Sequence, residues 1–237
     1  MNRIIVSGAS SNHFKSLLQF INSVLINEPN IHIIIYDLDL TIAECEAVSN
    51  KLSHFEKSEF VKFDYSKYPS YYNIHINAGE YAWKSAIINH VALTYPNSLI
   101  LWCDAGNVLS SPQDKLWNNL LTHHIGSTTT SGNIRKWTHP KCLEYFNIPI
   151  DSYFLNYRNK NGALLAFNTS NPIVKDFINE WYTCCAMKEC IAPEGSSREN
   201  HRQDQAVFTV LYYKYVEKYN IGNMDNSFNI KIHHDID

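Results

Sequence analysis

The sequence predicts an α/β protein in which a mostly parallel central sheet is flanked by helices. Apolar runs of strand length with no helical period lie at 3–7, 31–36 and 98–103, and amphipathic segments separate them. This alternation has the rhythm of strands joined by crossover helices. The 237 residues are enough for one large core, and no repeat, low-complexity tract or linker divides them. We therefore expect a single domain over 1–237.

The first half of the chain shows the pattern most clearly. The first predicted helix has apolar residues at helical spacing from Phe14 to Leu25, after the N-cap stretch Ser10-Ser11-Asn12 and before Pro29. The tyrosine-rich stretch 64–78 is predicted to be a loop. In order, the predicted elements are a strand at 3–7, a helix at 14–25, a strand at 31–36, a helix from 41, a strand at 59–63, a helix at 79–95 and a strand at 98–103.

The second half is less regular. Residues 133–161 are polar and aromatic, and they give no assignment beyond one short helix. The C-terminal residues 230–237 have the composition of a loose polar tail. The predicted elements are a helix from 111, a strand at 125–130, a short helix at 141–146, a strand at 163–167 and helices at 172–188 and 202–219, the last two separated by a loop at 191–200.

Composition excludes several classes of function. The net charge is -3 with acids and bases interspersed, so we expect no nucleic-acid groove and no anionic membrane surface. The strongest apolar run, 31–36, has the length of a strand, so no membrane span is expected. A strand begins almost at once and no secretory signal precedes it, so we expect a cytoplasmic protein, with peripheral membrane association through a partner left open.

The six cysteines do not indicate a zinc site, because none forms a CxxC pair. Cys184, Cys185 and Cys190 are close enough in sequence for a local disulfide. In a reducing compartment plain thiols are the expected state.

Acidic residues follow two of the predicted strands. Asp104 comes directly after the central strand, at the sheet edge where open α/β sheets bind ligands, and Ala105 and Gly106 let backbone and ligand approach closely. An Asp in this position can hold a metal or a ligand hydroxyl, and capping of a turn is the alternative. Asp37 and Asp39 follow the second strand and would suit ribose hydroxyls or a base N–H, although Asp39 could equally cap the helix that begins near 41.

The turn after the first strand has features of a nucleotide-binding turn. Ser7 and Gly8 lie between a strand and a helix, where a turn can cradle a base or ribose, and a tight turn without a ligand is the alternative. The dinucleotide fingerprint is missing, because 13–15 (HFK) stands where its later glycines would be. No Tyr lies four residues before a Lys either, so an NAD-linked reductase is disfavoured.

Two helices are predicted to bring further polar groups to the same place. Lys84 could neutralise a diphosphate or hold Asp104 in position; a solvated lysine is the ordinary explanation, but its aromatic neighbours favour packing. The polar cluster 200–205 opens a helix whose later residues are apolar. Within it, Asp204 could act as a general base or orient a hydroxyl, and Gln205 could support charge near a reacting carbon. N-capping explains one member of this cluster, not all.

Taken together, these motifs resemble GT-A-type nucleotide-sugar glycosyltransferases, in particular small sets from animals, bacteria and large viruses. The resemblance runs from the first strand to about Tyr213, and the order and spacing of its motifs carry it. The segments are 81–84 (YAWK), 102–106 (WCDAG), 137–140 (WTHP), 161–163 (NGA) and 200–205 (NHRQDQ).

The resemblance implies one Rossmann-like GT-A domain, with 1–110 binding the nucleotide and 111–237 binding the sugar and the acceptor. It also implies a nucleotide-diphosphate sugar donor (UDP-sugar expected), a glycan or other hydroxyl acceptor, and Mn²⁺ or Mg²⁺. Asp104 matches the first Asp of the Asp-x-Asp metal motif, but Gly106 stands where the second would be. A C-terminal His completes the metal ligands in such enzymes, so His233 or His234 is expected to compensate.

The remaining residues implied by the resemblance act at the sugar. Asn161 and Gly162 resemble the loop facing the donor sugar, and Asp204-Gln205 resembles the pair beneath the sugar in retaining members. A lone Asp base would serve inversion as well, so the stereochemical outcome stays open. Because the motif is incomplete at Gly106, the alternative is a module that binds a nucleotide or glycan without catalysis. We expect the positions near 37, 84, 104 and 204 to converge on one cleft.

Overall fold

The computed structural model describes residues 1–222 and 224–237. Its strands are β1 (Asn2–Ala9), β2 (His32–Asp37), β3 (Lys57–Lys62), β4 (Ser98–Cys103), β5 (Val108–Leu109), β6 (Ile125–Asn133), β7 (Arg158–Asn168) and β8 (Ile230–Lys231). Its α-helices are α1 (Phe14–Asn27), α2 (Ile42–Leu52), α3 (Ala82–Thr94), α4 (Asp114–His123), α5 (Ile134–Trp137), α6 (Pro140–Tyr145), α7 (Pro172–Cys185), α8 (Lys188–Ile191) and α9 (Gln203–Tyr219).

Six strands form the central sheet, in the order β3-β2-β1-β4-β7-β6. Strands β1 to β4 are mutually parallel, whereas β7 runs antiparallel to both β4 and β6. Every residue of β2 and of β4 is buried, which explains why these strands are continuous apolar runs. The predicted α/β class with a mostly parallel sheet is confirmed.

The core lies in two layers, one on each face of the sheet. Ile4 and Val6 of β1 belong to the layer that contains α3, α7 and α9, whereas Ile5 belongs to the layer that contains α1, α2 and α4. Successive strand residues point to opposite faces, so β1 contributes to both layers. With helices on both faces, the open edge at the strand ends is where a ligand can reach the sheet.

The helix predicted at 79–95 begins later than expected. Ala78, Gly79, Glu80 and Tyr81 all have positive φ, between 48° and 65°, so the α-helix can start only at Ala82. Apolar periodicity does not report the sign of φ, and only the glycine hinted at this turn. Left-handed non-glycine residues are costly and cluster at functional sites. Smaller shifts of boundaries occur elsewhere: α4 begins at 114 rather than 111, and α7 ends at 185 rather than 188.

The C-terminal residues pack against β5 and the first turn of α1, so the interpretation of 230–237 as a loose tail is wrong. Strand β8 pairs with β5. At the last residue, the Asp237 carboxylate accepts hydrogen bonds from the backbone N–H of Lys15 (2.8 Å) and of Ser16 (3.1 Å). These two N–H groups lie in the first turn of α1, where an anion is favoured.

The state of the cysteines and the possibility of a membrane span concern the chain as a whole. All six cysteines are free thiols, and five of them are buried. Within 1–222 and 224–237, no helix is both long and apolar enough to cross a membrane.

Candidate active site

A cavity of about 530 Å³ opens at the carboxyl ends of β1 and β4. Residues 8–10 and 104–106 line it from the sheet, and α3, β7, the first turn of α9 and the C-terminal residues complete it. Its volume lies within the range of about 300–1,000 Å³ that is usual for small-molecule sites.

Lys84 is the centre of the charged groups in this cavity. Its ammonium lies 3.0 Å from Asp104 Oδ1 and 3.6 Å from Asp204 Oδ2, and it donates to the carbonyl of Gly162 at 2.9 Å. The side chain is buried, 3 % exposed. Burial disfavours its charge, but Asp104 and Asp204 more than offset this, so the pKa of Lys84 lies above its usual value. Lys84 therefore joins two carboxylates that lie far apart in sequence.

Asp204 is a buried carboxylate with an unsatisfied oxygen. Its Oδ2 faces Lys84 but has no hydrogen-bond donor. Burial raises the pKa of Asp204 to about 6, against the opposing attraction of Lys84. Burying such a group is costly, and Trp181 fixes its backbone by donating to the Asp204 carbonyl (3.2 Å). An unsatisfied buried oxygen at a cavity wall can accept a hydrogen bond from a ligand.

Asp104 is held from within the sheet. Its Oδ1 accepts hydrogen bonds from Trp102 Nε1 at 2.6 Å and from Lys84, while its side chain is 34 % exposed at the cavity. Its backbone N–H donates to the carbonyl of Ala163 at 2.9 Å, which continues the pairing of β4 with β7. Both side-chain contacts use Oδ1, so Oδ2 can face a ligand.

Glycine at 162 keeps space open between β7 and α9. A Cβ at this position would lie 3.3 Å from the Cβ of Gln205 and 3.6 Å from Asp204 Oδ2. A larger side chain would therefore enter the space next to both residues. Asn161, beside it, accepts a hydrogen bond from the Ala163 N–H (2.7 Å) and also lines the cavity.

The comparisons with known proteins begin with the N-terminal part of the chain. Residues 1–89 match the model of a family described as a protein of unknown function, DUF1647. The comparison with curated proteins gives no match.

Solved structures of glycosyltransferases match most of the chain. Galactosyltransferase LgtC, in complex with donor and acceptor sugar analogs, matches with a TM-score of 0.53 and 15 % identity over 88 % of this chain and 70 % of LgtC. The bifunctional glycosyltransferase WbbM matches with a TM-score of 0.60 and 13 % identity over 90 % of this chain, but over only 38 % of WbbM. Mouse xyloside xylosyltransferase 1 matches with a TM-score of 0.55 and 12 % identity over 94 % of this chain and 85 % of that enzyme.

The chain has the GT-A glycosyltransferase fold. At these identities the likeness establishes the fold, and the activity has to be argued from the side chains in the cavity. Most of the residues predicted for this GT-A site do line it: Gly8, Lys84, Asp104, Ala105, Gly106, Asn161, Gly162, Asp204, Gln205 and His233.

Three residues predicted to bind the donor do not line the GT-A cavity. Asp37 is buried, and its Oδ1 accepts from the backbone N–H groups of Asp39 (2.8 Å) and Leu40 (2.7 Å). Asp39 points to His75 Nε2 at 2.9 Å, and it does not cap α2, which is capped by Thr41 with Glu44. Ser7 is buried within β1. Leu38, between the two acids, lines the cavity instead.

His234, predicted as a metal ligand, does not line the cavity either, whereas its neighbour His233 does. The backbone N–H of His234 donates to the carbonyl of Gly106 at 2.6 Å. Both residues lie after the end of β8, and His233 has a φ of 57°, so no regular period in the sequence shows which neighbour faces the site.

The polar cluster 200–205 divides into structural and cavity residues. His201 is fully buried; its Nε2 donates to the carbonyl of Ile191 (2.9 Å), and its Nδ1 accepts from the N–H of His139 (3.1 Å). Burial lowers the pKa of His201 to about 4, so the imidazole is neutral at pH 7. Residues 202–205 of the cluster line the cavity.

Several cavity residues were not singled out from the sequence. Arg198 and Arg202 bring two guanidinium groups, which lie 5.5 Å from the ring centre of Tyr81 and 4.1 Å from that of Trp137. His13 and Asp235 also line the cavity. The sequence signal for Asp235 was its place directly after the two histidines, and that for Arg202 was its place inside the polar cluster.

Proposed function

We propose that this protein is a glycosyltransferase, which moves a sugar from a nucleotide-diphosphate donor, expected to be a UDP-sugar, to a glycan or other hydroxyl acceptor in the cytoplasm. One observation supports this most strongly. In a GT-A fold, Lys84 joins Asp104, at the end of the central strand, to Asp204, in the first turn of α9, inside one cavity. Asp104 at the strand end can interact with the diphosphate, and Asp204 in the helix can interact with the sugar.

The charges of the cavity suit the reaction. When the donor bond breaks, the diphosphate gains negative charge and the sugar becomes oxocarbenium-like. Arg198 and Arg202 line the cavity, so they can neutralise the phosphates, and Lys84 orients Asp104. Asp204 and Gln205 supply oxygen atoms that can stabilise positive charge at the anomeric carbon.

Asp204 can also take part in proton transfer. With a pKa of about 6 it is mostly ionised at pH 7 and can accept the proton of an acceptor hydroxyl. Its unsatisfied Oδ2 is the atom suited to this role. Retention and inversion place different demands on the acceptor, and product stereochemistry distinguishes them.

A divalent cation, Mn²⁺ or Mg²⁺, fits the exposed side of this site. Asp104 keeps Oδ2 free of Lys84 and Trp102, and His233, whose imidazole suits such an ion, lines the same cavity. When bound, such a cation would neutralise charge on the leaving diphosphate. Asp104 and His233 are its proposed ligands.

The rival function is a GT-A module that binds a nucleotide or glycan without turnover. Gly106 favours it, because the second carboxylate of the Asp-x-Asp motif is missing at that position. Calorimetry with a panel of nucleotide sugars, with and without Mn²⁺, followed by a donor-hydrolysis assay separates the two functions. Binding of one donor with slow release of nucleoside diphosphate supports the enzyme, and tight binding of a donor that is never cleaved supports the module.

Two variants and one control make this test specific. Asp104→Asn removes the charge at the strand end, and we expect it to weaken donor binding. Asp204→Asn removes the charge at the sugar, and we expect it to bind the donor but to turn it over slowly. Asp176→Asn changes an exposed carboxylate on α7 and should behave as the wild type. Unchanged binding and turnover in both cavity variants would contradict the proposal.

A further inference from the structure

The carboxylate of Asp235 occupies the place where a side chain at position 106 would begin. A Cβ built on Gly106 would lie 2.5 Å from both Cγ and Oδ2 of Asp235, and closer still to its Oδ1. These distances are shorter than any ordinary van der Waals contact, so a side chain at 106 and the present position of Asp235 exclude each other. With Asp235 in this position only glycine fits at 106, and the group that uses the space is a carboxylate.

The backbone on both sides of Asp235 is anchored. Before it, the N–H of His234 donates to the Gly106 carbonyl at 2.6 Å, and that of His233 donates to Asn107 Oδ1 at 3.4 Å. After it, the N–H of Ile236 donates to Ser16 Oγ at 2.9 Å. The Asp235 side chain itself is 41 % exposed, and its Oδ1 lies 3.6 Å from Nδ1 of His13. The fold therefore holds the backbone of Asp235 beside 106 and leaves its side chain open to the cavity.

We propose that Asp235 supplies, from the C-terminal segment, the second carboxylate of the divalent-cation site that Gly106 does not provide. This inference rests on the cation site of the proposed function and adds a ligand to it. Asp104 and Asp235 would bind through oxygen, and His233 through its imidazole, which is a donor set suited to Mn²⁺.

Lys84 does not pair with all the carboxylates of the cavity. It is paired with both Asp104 and Asp204, so one ammonium faces two carboxylates, and Asp235 brings a third carboxylate to the same cavity. Arg198 and Arg202 also line the cavity, where the proposed function assigns them to the phosphates. The buried Oδ2 of Asp204 has no hydrogen-bond donor, and this independently indicates that the cavity binds a polar ligand.

The ligands are brought together by the cation. In the part of the chain that the structure describes, no three His, Cys, Asp or Glu side chains are already grouped as a metal site. Asp235 and His233 are both exposed, so rotation about their side-chain bonds is fast and meets little steric resistance. Asp104, fixed by Trp102 and Lys84, is the static member of the set.

The test measures binding of Mn²⁺ alone, by the loss of the electron paramagnetic resonance signal of free Mn²⁺ on titration with protein. We expect Asp235→Asn to weaken Mn²⁺ binding by at least about tenfold. The control Asp176→Asn should bind as the wild type. In the double variant Gly106→Asp/Asp235→Gly the carboxylate moves from the C-terminal segment to position 106, and we expect Mn²⁺ affinity to recover to near the wild-type value.

The swap protects the test against misfolding, because thermal unfolding of each variant is recorded and the double variant removes the clash that Gly106→Asp alone creates. Wild-type affinity in Asp235→Asn would overturn the inference and leave the proposed function standing. If the wild type turns over a donor but binds no Mn²⁺, the inference is likewise overturned and the proposed function stands. Asp235-dependent Mn²⁺ binding without turnover of any nucleotide sugar would support the inference and overturn the proposed function.

Discussion

Replacement of Lys84 by methionine removes the positive charge that faces both Asp104 and Asp204. Methionine keeps the length and most of the apolar stem of lysine, so the variant tests the charge more than the packing. Loss of the ammonium removes the contacts to Asp104 (3.0 Å) and Asp204 (3.6 Å) and leaves Asp204 buried without a cation. Removing one partner of a buried ion pair costs about 3–5 kcal/mol. In a domain of this size that corresponds to a fall in Tm of about 6–20 °C.

The matched control is Lys67→Met. Lys67 lies 3.4 Å from Asp64, but the two side chains are 73 % and 49 % exposed. Solvent screens an exposed pair of this kind, so this variant should lose little stability. Thermal and urea unfolding of both variants, followed by circular dichroism, gives the comparison directly.

The pH dependence and a double variant identify the cause. At pH 5, below the pKa of Asp204 of about 6, its carboxyl is largely protonated and needs the cation less, so Lys84→Met should cost less than at pH 8. In an Asp204→Asn background the loss should also shrink, with a coupling of about 1–3 kcal/mol. A loss of stability below about 1 kcal/mol for Lys84→Met, or equal losses with and without Asp204, would refute this account of Lys84, Asp104 and Asp204.

Two other predictions use single residues of the structure. The pKa of His201 is about 4 in the folded chain, against 6.5 ordinarily, so the unfolded chain binds more protons between these two pH values. His201 therefore lowers the free energy of unfolding as the pH drops from 6.5 to 4, by up to about 3 kcal/mol. Asp204 acts in the opposite sense, because its pKa is raised from 3.8 to about 6, so the effect of His201 has to be isolated by a variant. Urea unfolding of wild type and His201→Gln across pH 4–7 should show a smaller loss of stability in acid for the variant. Equal profiles would contradict the assignment. Gly162→Val should lower donor turnover with little change in Tm, because its methyl groups enter the space beside Gln205 and Asp204, and full activity in a donor-hydrolysis assay would contradict that geometry.

Much of the fold could be predicted because the central strands are buried on both faces. Continuous apolar runs such as Ile31–Tyr36 have no other simple explanation at that length. The proximity of Lys84 to Asp104 follows from topology, since the ends of parallel strands and the first turn of the helix after β3 share one edge of the sheet. Asp204 lies on α9, which follows another helix, so its place beside Lys84 depends on the packing of α9 in the folded chain. The resemblance to GT-A enzymes agrees with the observed fold.

The differences between the expected and the observed positions come from information that a local pattern does not contain. Asp37 and Ser7 lie on the right strands, but the pleat and the turn direct Leu38 and Gly8 to the cavity instead. The left-handed turn before Ala82 has no apolar signature. Asp235 acquires its place only through contact with Gly106, a long-range contact that depends on the folded chain.

The central claim is that the GT-A cavity cleaves a nucleotide-sugar bond with Asp204 at the sugar. The most direct measurement is the release of nucleoside diphosphate from a panel of nucleotide sugars, with Mn²⁺ present, by the wild type, Asp204→Asn and Asp176→Asn. We predict release from at least one donor by the wild type and Asp176→Asn, and a rate at least about 100-fold lower in Asp204→Asn, which still binds that donor. Equal rates in Asp204→Asn and wild type would contradict the account, and so would a donor that the wild type binds and never cleaves.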